Sequence, residues 1–339
     1  NWYTVDPIFY SGQRPGEITD DDISDLYTRR IFIDELFPQV DLVTGQYTVI
    51  NSLDLVYNPS ERGPYNYKQG AEDGILDTPQ NSWAGISRQL TSTDFEQANV
   101  EYIEFWLMDP FLNNPSNPGG KLVLNLGNIS EDVIKDGRKQ YENGLPEDGD
   151  ISLLPTTTWG SVSPLNQSLI YAFSSQGDER TNQDVGLDGY DDSREIASTD
   201  PRFTSFSALE DPANDNYKYY LNTQGNIFDR YKKYNGLEGN SPDTFSETNR
   251  GSTTQPDVED INRDNTMNTI DSYFEYEIGI SSADFNNLNN PYIVDRKSIS
   301  NITLPNGSPS GIINWYQYRI PLSEFTNAVG GVSDFRSIR

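Results

Sequence analysis

The stretch Val100-Glu-Tyr-Ile-Glu-Phe-Trp-Leu-Met108 carries the strongest local signal in the chain. Ile103, Phe105 and Leu107 share one parity, so an extended backbone turns all three to one face, as in a strand with one buried side. The alternation recurs on both sides of it. Tyr47, Val49, Leu53, Leu55 and Tyr57 form an earlier set, and Leu122, Leu124 and Leu126 follow Gly119-Gly120. Phe274, Tyr276, Ile278 and Ile280 come later, then Ile313, Trp315 and the run Tyr316-Gln-Tyr-Arg-Ile320. Clusters of Gly, Pro and Asn separate these runs, which predicts a mainly β fold of antiparallel, jelly-roll-like β-sandwich modules rather than βαβ units. Long Asp/Asn/Gly-rich loops and a few short helices complete the expected fold. One helix is expected to start at Ser130-Glu-Asp-Val133, and another covers Ile227-Phe-Asp-Arg-Tyr-Lys-Lys-Tyr234, closed by Gly236. Along the chain the expected division is a first sandwich-like module over 1–142, a loop-rich region with calcium loops over 143–270, and further sandwich strands over 271–339.

Composition narrows the chemistry. The 339 residues contain no histidine, no cysteine and two methionines, so Ser-His-Asp and Cys-His nucleophile systems and zinc sites of the Cys/His kind are excluded. Exchanging Tyr for Gly in the apolar count gives roughly 35% apolar residues, below the usual 45–50%. Aromatic residues nonetheless make up 12%, which favours a folded chain over a disordered one. The formal charge, 24 − 52 = −28, would repel phosphates, so nucleic acid is not an expected partner and cations are. No run of 18 apolar residues exists. Asn1-Trp-Tyr3 follows no basic leader, and Val332-Ser-Asp-Phe335-Arg-Ser-Ile338-Arg339 starts an apolar alternation, which reads as a segment cut from a longer chain.

Two loops have the spacing of a calcium-binding turn, in which oxygens at positions 1, 3, 5, 9 and 12 converge on one ion and a residue at position 6 makes the sharp turn. The first places Asp184 at position 1, Asp188 at 5, Gly189 at 6, Asp192 at 9 and Glu195 at 12, with Gly186 at position 3. The second places Asp260, Asn262, Asp264, Asn268 and Asp271 at positions 1, 3, 5, 9 and 12, with Asn265 at position 6, where Asn tolerates a left-handed backbone. Calcium is therefore the expected cofactor, against a background in which 52 acidic residues supply Asp-rich turns by chance. Acid pairs of the kind used in glycoside hydrolysis are defined by spatial separation, which spacing along the chain does not give. Of the five tryptophans, Trp106 and Trp315 sit in strand patterns and read as core, whereas Trp2, Trp83 and Trp159 are candidates for a sugar-stacking surface. Asn117-Pro-Gly-Gly120 lacks the lysine of a phosphate loop and reads as a hairpin turn.

Longer strings carry a resemblance. Glu61-Arg-Gly-Pro-Tyr-Asn66, Ser82-Trp-Ala-Gly-Ile86 with Arg88, Tyr102-Ile-Glu-Phe-Trp-Leu-Met-Asp-Pro-Phe111 and Leu124-Asn-Leu-Gly-Asn-Ile-Ser-Glu-Asp132 are four of them. Asp136-Gly-Arg-Lys139 with Tyr141-Glu-Asn-Gly-Leu-Pro146, Asn182-Gln-Asp-Val-Gly-Leu-Asp-Gly189 and Trp315-Tyr-Gln-Tyr-Arg-Ile-Pro321 continue it. From about Ile18 to Arg339 the chain resembles the SprA/Sov family, the giant outer-membrane translocons of the Bacteroidota type IX secretion and gliding motility system. The resemblance implies a non-catalytic soluble portion of a very wide β-barrel through which folded cargo leaves the cell. It implies the outer membrane as location, with an extracellular cap expected over a periplasmic portion. It also implies as partners the remainder of the barrel chain, outer-membrane accessory proteins and secreted cargo. The alternative is a calcium-dependent carbohydrate-binding β-sandwich module of a cell-surface protein, and an acid-pair glycosidase stands third.

Overall fold

In a computed structural model, the structure describes residues 1–339 apart from 47, 164–170, 176, 248–249, 287–289, 337 and 339. Tyr47 and the last residues of the C-terminal alternation, Ser337 and Arg339, thus lie outside the described residues. Six strands organise one part of the chain: β1 (Tyr102–Met108), β2 (Gly120–Asn128), β3 (Ser272–Ile280), β4 (Ile293–Ser300), β5 (Ile312–Pro321) and the short β6 (Asn327–Ala328). They form two three-stranded antiparallel sheets with strand orders β6-β3-β2 and β1-β5-β4. The register sets Ile103 opposite Ile320, Phe105 opposite Tyr318 and Leu107 opposite Tyr316. In the other sheet Leu122, Leu124 and Leu126 face Ile278, Tyr276 and Phe274.

These apolar faces meet in one core, as the alternation predicts. Phe274, Tyr276 and Ile278 are buried with Tyr316, Tyr318 and Ile320, and Ile103, Phe105, Leu107 and the three leucines of β2 pack against them. This is sheet-on-sheet packing, in which each strand contributes every second residue to the interior. The β1-β5-β4 sheet is also covered on its other face. Ile313 and Trp315, of opposite parity to Tyr316 and Tyr318, are buried with Ile31 and Leu36, and Trp106 and Met108 pack there. Two-sided burial explains why β5 reads as a nearly continuous apolar run rather than a clean alternation.

Several local expectations are corrected. Asn117-Pro-Gly-Gly120 is not a hairpin turn, because β1 and β2, on either side of it, belong to different sheets. Gly119 has φ +79°, and a Cβ there would stand 2.1 Å from the Ile280 carbonyl oxygen, so glycine serves the close approach to β3. The set around Val49 is not one strand. Val49–Ile50 pairs with Ile31–Phe32 and Asp54–Leu55 with Trp2–Tyr3, and Leu53, Leu55 and Tyr57 are exposed. No helix forms at Ser130–Val133, where Lys135 (φ 60°) and Gly137 (φ 69°) turn the chain left-handed instead. Strand β4 gave no usable signal, since Asp295-Arg-Lys297 places charges on it. That suits an edge strand, which avoids open pairing through charge and carries a register shift between Ile293 and Asp295.

The chain separates into two compact units that interleave along the sequence. Residues 5–52, 89–130 and 270–339 form the strand-bearing unit, and 1–4, 53–88 and 131–269 the loop-rich unit. The expected linear boundaries at 142 and 270 differ from this, because β1 and β2 share a core with strands that follow residue 270. The loop-rich unit holds short helices: α1 (Gly177–Gln183), α2 (Asp192–Ala197), α3 (Pro201–Phe206) and α4 (Ile227–Tyr231). The expected helix at Ile227 is α4, closed at its start by reciprocal bonds between Asn226 and Asp229. Apolar anchors include Phe203, Phe206, Ile227 and a stack in which the Tyr3 ring lies 4.0 Å from that of Tyr231.

Buried carboxylates do much of the remaining organising of this unit. Glu142 accepts from the Gly186 and Asp257 amides at 2.8 and 2.7 Å, and Glu259 from the Ile134 and Gln140 amides at 3.0 and 2.9 Å. A loop lacks the internal pairing of helix or sheet, so its buried N–H groups need acceptors from side chains. The high acid content of the chain is thus in part an inventory of loop clamps.

Candidate metal centre

The first of the two predicted calcium turns folds differently from its template. Asp188 Oδ1 accepts from the Tyr190 amide at 3.1 Å, and Asp191 then caps α2 by accepting from the Arg194 amide at 2.9 Å. Asp192 and Glu195 stand in the first turn of α2, three residues apart and therefore on one face. Asp184 is directed elsewhere: its Oδ2 accepts from the Ser241 amide at 2.9 Å, and the charge of Asp257 bears on it. Loop closure by all four acids is thus replaced by a helix start, while Asp188, Asp192 and Glu195 remain together with acids from farther along the chain.

Those further acids are Asp211, Asp215 and Glu238. One carboxylate oxygen each from Glu195, Asp215 and Glu238 lies within 4.8 Å of the other two, and the same holds for Asp192, Glu195 and Asp211. Glu195 and Asp215 are fully buried, and Asp188 is 1% exposed. Each is anchored through one oxygen. Glu195 Oε2 accepts from the Ala213 amide at 2.9 Å, Asp215 Oδ2 from the Tyr65 hydroxyl at 2.7 Å, and Glu238 Oε1 from the Asp192 amide at 3.3 Å. Asp192 Oδ2 accepts from the Asn216 side chain at 2.8 Å. The other oxygens, Glu195 Oε1, Asp215 Oδ1, Glu238 Oε2, Asp192 Oδ1 and Asp188 Oδ2, are buried without a hydrogen-bond donor. Asp211 differs, since Lys233 Nζ donates to its Oδ2 at 2.8 Å and the Asp215 amide to its Oδ1 at 3.0 Å.

Like charges taken out of water disfavour ionisation. Burial, followed by the charge of Asp215, pushes both Glu195 and Glu238 up to about 9. Burial pushes Asp215 up to about 7 and raises Asp188 well above the ordinary carboxylate range. Oxygen donors alone, without nitrogen or sulfur, are the ligand set of a hard divalent cation.

The second predicted turn satisfies itself. Asn265 does take the left-handed backbone expected at position 6, with φ 73°. Asp260 is fully buried, and its oxygens accept from the Asp264 and Asn265 amides, the Tyr171 hydroxyl and Lys139. Asn262 accepts from the Asp264 amide, and Asp264 from the amide and hydroxyl of Thr266. Asn268 donates to Glu131, and Asp271, in the strand-bearing unit, accepts from the Ser130 amide. Each of the five is engaged in turn or capping hydrogen bonds, and Asp260 and Asn262 meet at the Asp264 amide.

Asp211, Asp215 and Glu238 were not visible as partners of Glu195, because that proximity comes from the tertiary path rather than from spacing. The only local hint was the density of acids in Glu210-Asp211-Pro-Ala-Asn-Asp215. Glu195 also marks the start of a larger match: residues 195–339 match the SprA_N family, described as motility related/secretion protein. This stretch is similar to SprA-type segments. The SprA-type match takes in Glu195, Asp211, Asp215 and Glu238 as well as strands β3 to β6. No curated protein matches the chain.

Proposed function

We propose that this chain is a non-catalytic soluble portion of the giant outer-membrane translocon that exports folded proteins through the type IX secretion system, placed on the extracellular face as a cap. The observation that carries the reading is the match of residues 195–339 to a secretion and motility family. A barrel wide enough for folded cargo would pass small solutes freely, so an attached domain has leakage to limit or cargo to guide. Two further features suit a scaffold better than a catalyst. The chain has no histidine or cysteine, and the densest acid group includes Glu195, which has no solvent exposure through which a glycan or peptide could reach it. Its partners in this reading are the rest of the barrel chain, accessory outer-membrane proteins and cargo.

Deleting residues 1–339 from the parent, with barrel assembly checked separately, should impair secretion or make the outer membrane leaky. Normal secretion with an intact permeability barrier would contradict the role. The side of the membrane is tested by Leu153→Cys, because Leu153 is 91% exposed and the chain has no other cysteine. Labelling by an impermeant maleimide in intact cells supports the cap, whereas labelling only after permeabilisation assigns the periplasm. The carbohydrate-binding alternative draws on the sandwich and on Trp83, which is 82% exposed. Millimolar or tighter binding of a surface glycan, lost in Trp83→Ala, would favour it.

A further inference from the structure

We propose that Glu195, Asp215 and Glu238 form the centre of a binding site for a hard divalent cation of the calcium class, with Asp188 and Asp192 as flanking oxygen donors. The site is independent of any role in secretion and differs in composition from both turns predicted by spacing.

Three observations carry it. The first is convergence: three carboxylate oxygens within 4.8 Å of one another fit around one calcium ion, whose oxygen ligands lie at about 2.3 to 2.6 Å and so span up to about 5 Å across the ion. The second is the division of labour within each carboxylate. One oxygen is fixed by a protein donor, which orients the group, and the other is buried with none. These buried oxygens, which the protein leaves without donors, are what a cation among the three converging carboxylates would satisfy. The third is the contrast with neighbouring acids. Asp211, in the adjoining triad, already holds Lys233, and Asp260 is served by two amides, a hydroxyl and an ammonium. Asp211 and Asp260 are thus served by cationic or N–H and O–H donors, whereas Glu195, Asp215 and Glu238 each keep one buried oxygen without a donor.

Calcium is favoured over magnesium by the ligand count. Three converging carboxylates with Asp188 and Asp192 flanking them would approach the six to eight oxygens that calcium takes, whereas magnesium retains several waters in a strict octahedron. A bound ion would tie α2 to the turn at 211–216 and the segment at 236–238, which a parallel bridge between Asn216 and Glu238 already holds to each other.

The test uses the purified chain of residues 1–339 and calcium alone. Equilibrium dialysis of the wild type should show binding at or below millimolar calcium, and adding calcium to chelator-treated protein should raise the melting midpoint by about 5 to 10 °C. Glu195→Gln and Asp215→Asn should each abolish that shift while remaining folded in chelator, since the neutral amide keeps the shape of the carboxyl but not its affinity for a cation. Asp264→Asn, in the other predicted turn, should keep the full shift. Absence of calcium binding by the wild type, a shift unchanged in both site variants, or its loss in Asp264→Asn would overturn the assignment. If a site variant fails to fold, wild-type dialysis and the Asp264→Asn melt still decide it.

Discussion

The Phe105 ring lies directly across the β1–β5 ladder from Tyr318 and stacks on it, with centroids 5.1 Å apart and an interplanar angle of 7°. Tyr318 is fully buried and Phe105 partly so, which puts the pair at the heart of the sandwich. Aromatic pairs directly opposite one another add cross-strand stabilisation to the area they bury. Phe105→Ala should therefore cost about 3 kcal/mol, near the low end of the range for buried aromatics. Urea denaturation reports it, and a neutral result would mean that the faces of β1 are reversed.

Tyr318 itself carries a hydroxyl that is buried without a hydrogen-bond partner. Such a group forfeits hydration and gains nothing in return. Tyr318→Phe should leave stability unchanged or raise it by up to about 1 kcal/mol, measured by the same denaturation. A loss of more than about 1 kcal/mol would show that the hydroxyl has a partner in solution.

Gly186 sits beside the acid cluster with φ +81°, and a Cβ there would stand 2.2 Å from Asp215 Oδ2 and 2.9 Å from the Tyr65 hydroxyl. Gly186→Ala should therefore break the Tyr65–Asp215 hydrogen bond as well as straining the backbone. The expected cost exceeds about 1 kcal/mol, and calcium should restore less stability to this variant than to the wild type. Wild-type behaviour in both respects would show that the turn can rearrange at little cost.

Glu259 gives a pH signature. Burial, its largest cause, pushes this carboxyl up to about 7 from an ordinary 4.5. A folded-state pKa above the unfolded one means that the native state retains a proton the unfolded chain releases. The contribution is thus complete below about pH 4.5 and is lost as pH rises towards 7. The unfolding free energy of the wild type minus that of Glu259→Gln should fall across that window and level off above about pH 8. Other acids cancel in the difference. A constant difference would show that the two amides holding Glu259 outweigh its burial.

The sandwich was legible because its signal is local. Ile103, Phe105 and Leu107 declare their face within five residues, and the register with β5 follows once both faces are known. Strand β4 was hidden by its own edge charges, and the hairpin at Asn117 was misread because turn chemistry says where a chain bends, not which sheet it enters. The acid site was half legible. Asp192 and Glu195 are three residues apart in sequence, so a short-range template finds them, though for a turn instead of the helix start they occupy. Asp215 and Glu238 reach Glu195 only through the folded path of a loop-rich unit, which has no periodicity from which to infer it. Asp260 through Asn268 matched the template because clamping a turn and binding an ion call for the same short oxygen-bearing side chains at nearly the same spacing.

The interleaving of the two units bears on how the chain can be made. The chain passes from one unit to the other five times, and Glu104 of β1 meets Arg319 of β5 at a separation of 215 positions. Strand β1 therefore finds no ladder partner during synthesis until almost the whole sequence has followed it. Until then β1 and β2 expose apolar faces and open edges, the state in which chains are most prone to sticking or mispairing. Such an arrangement favours completion before closure, with an escorting factor or an unfolded passage across a membrane keeping the early strands apart until the last ones arrive. It also means that no cut at a single point releases either unit intact, so that trimming from one end removes pieces of both.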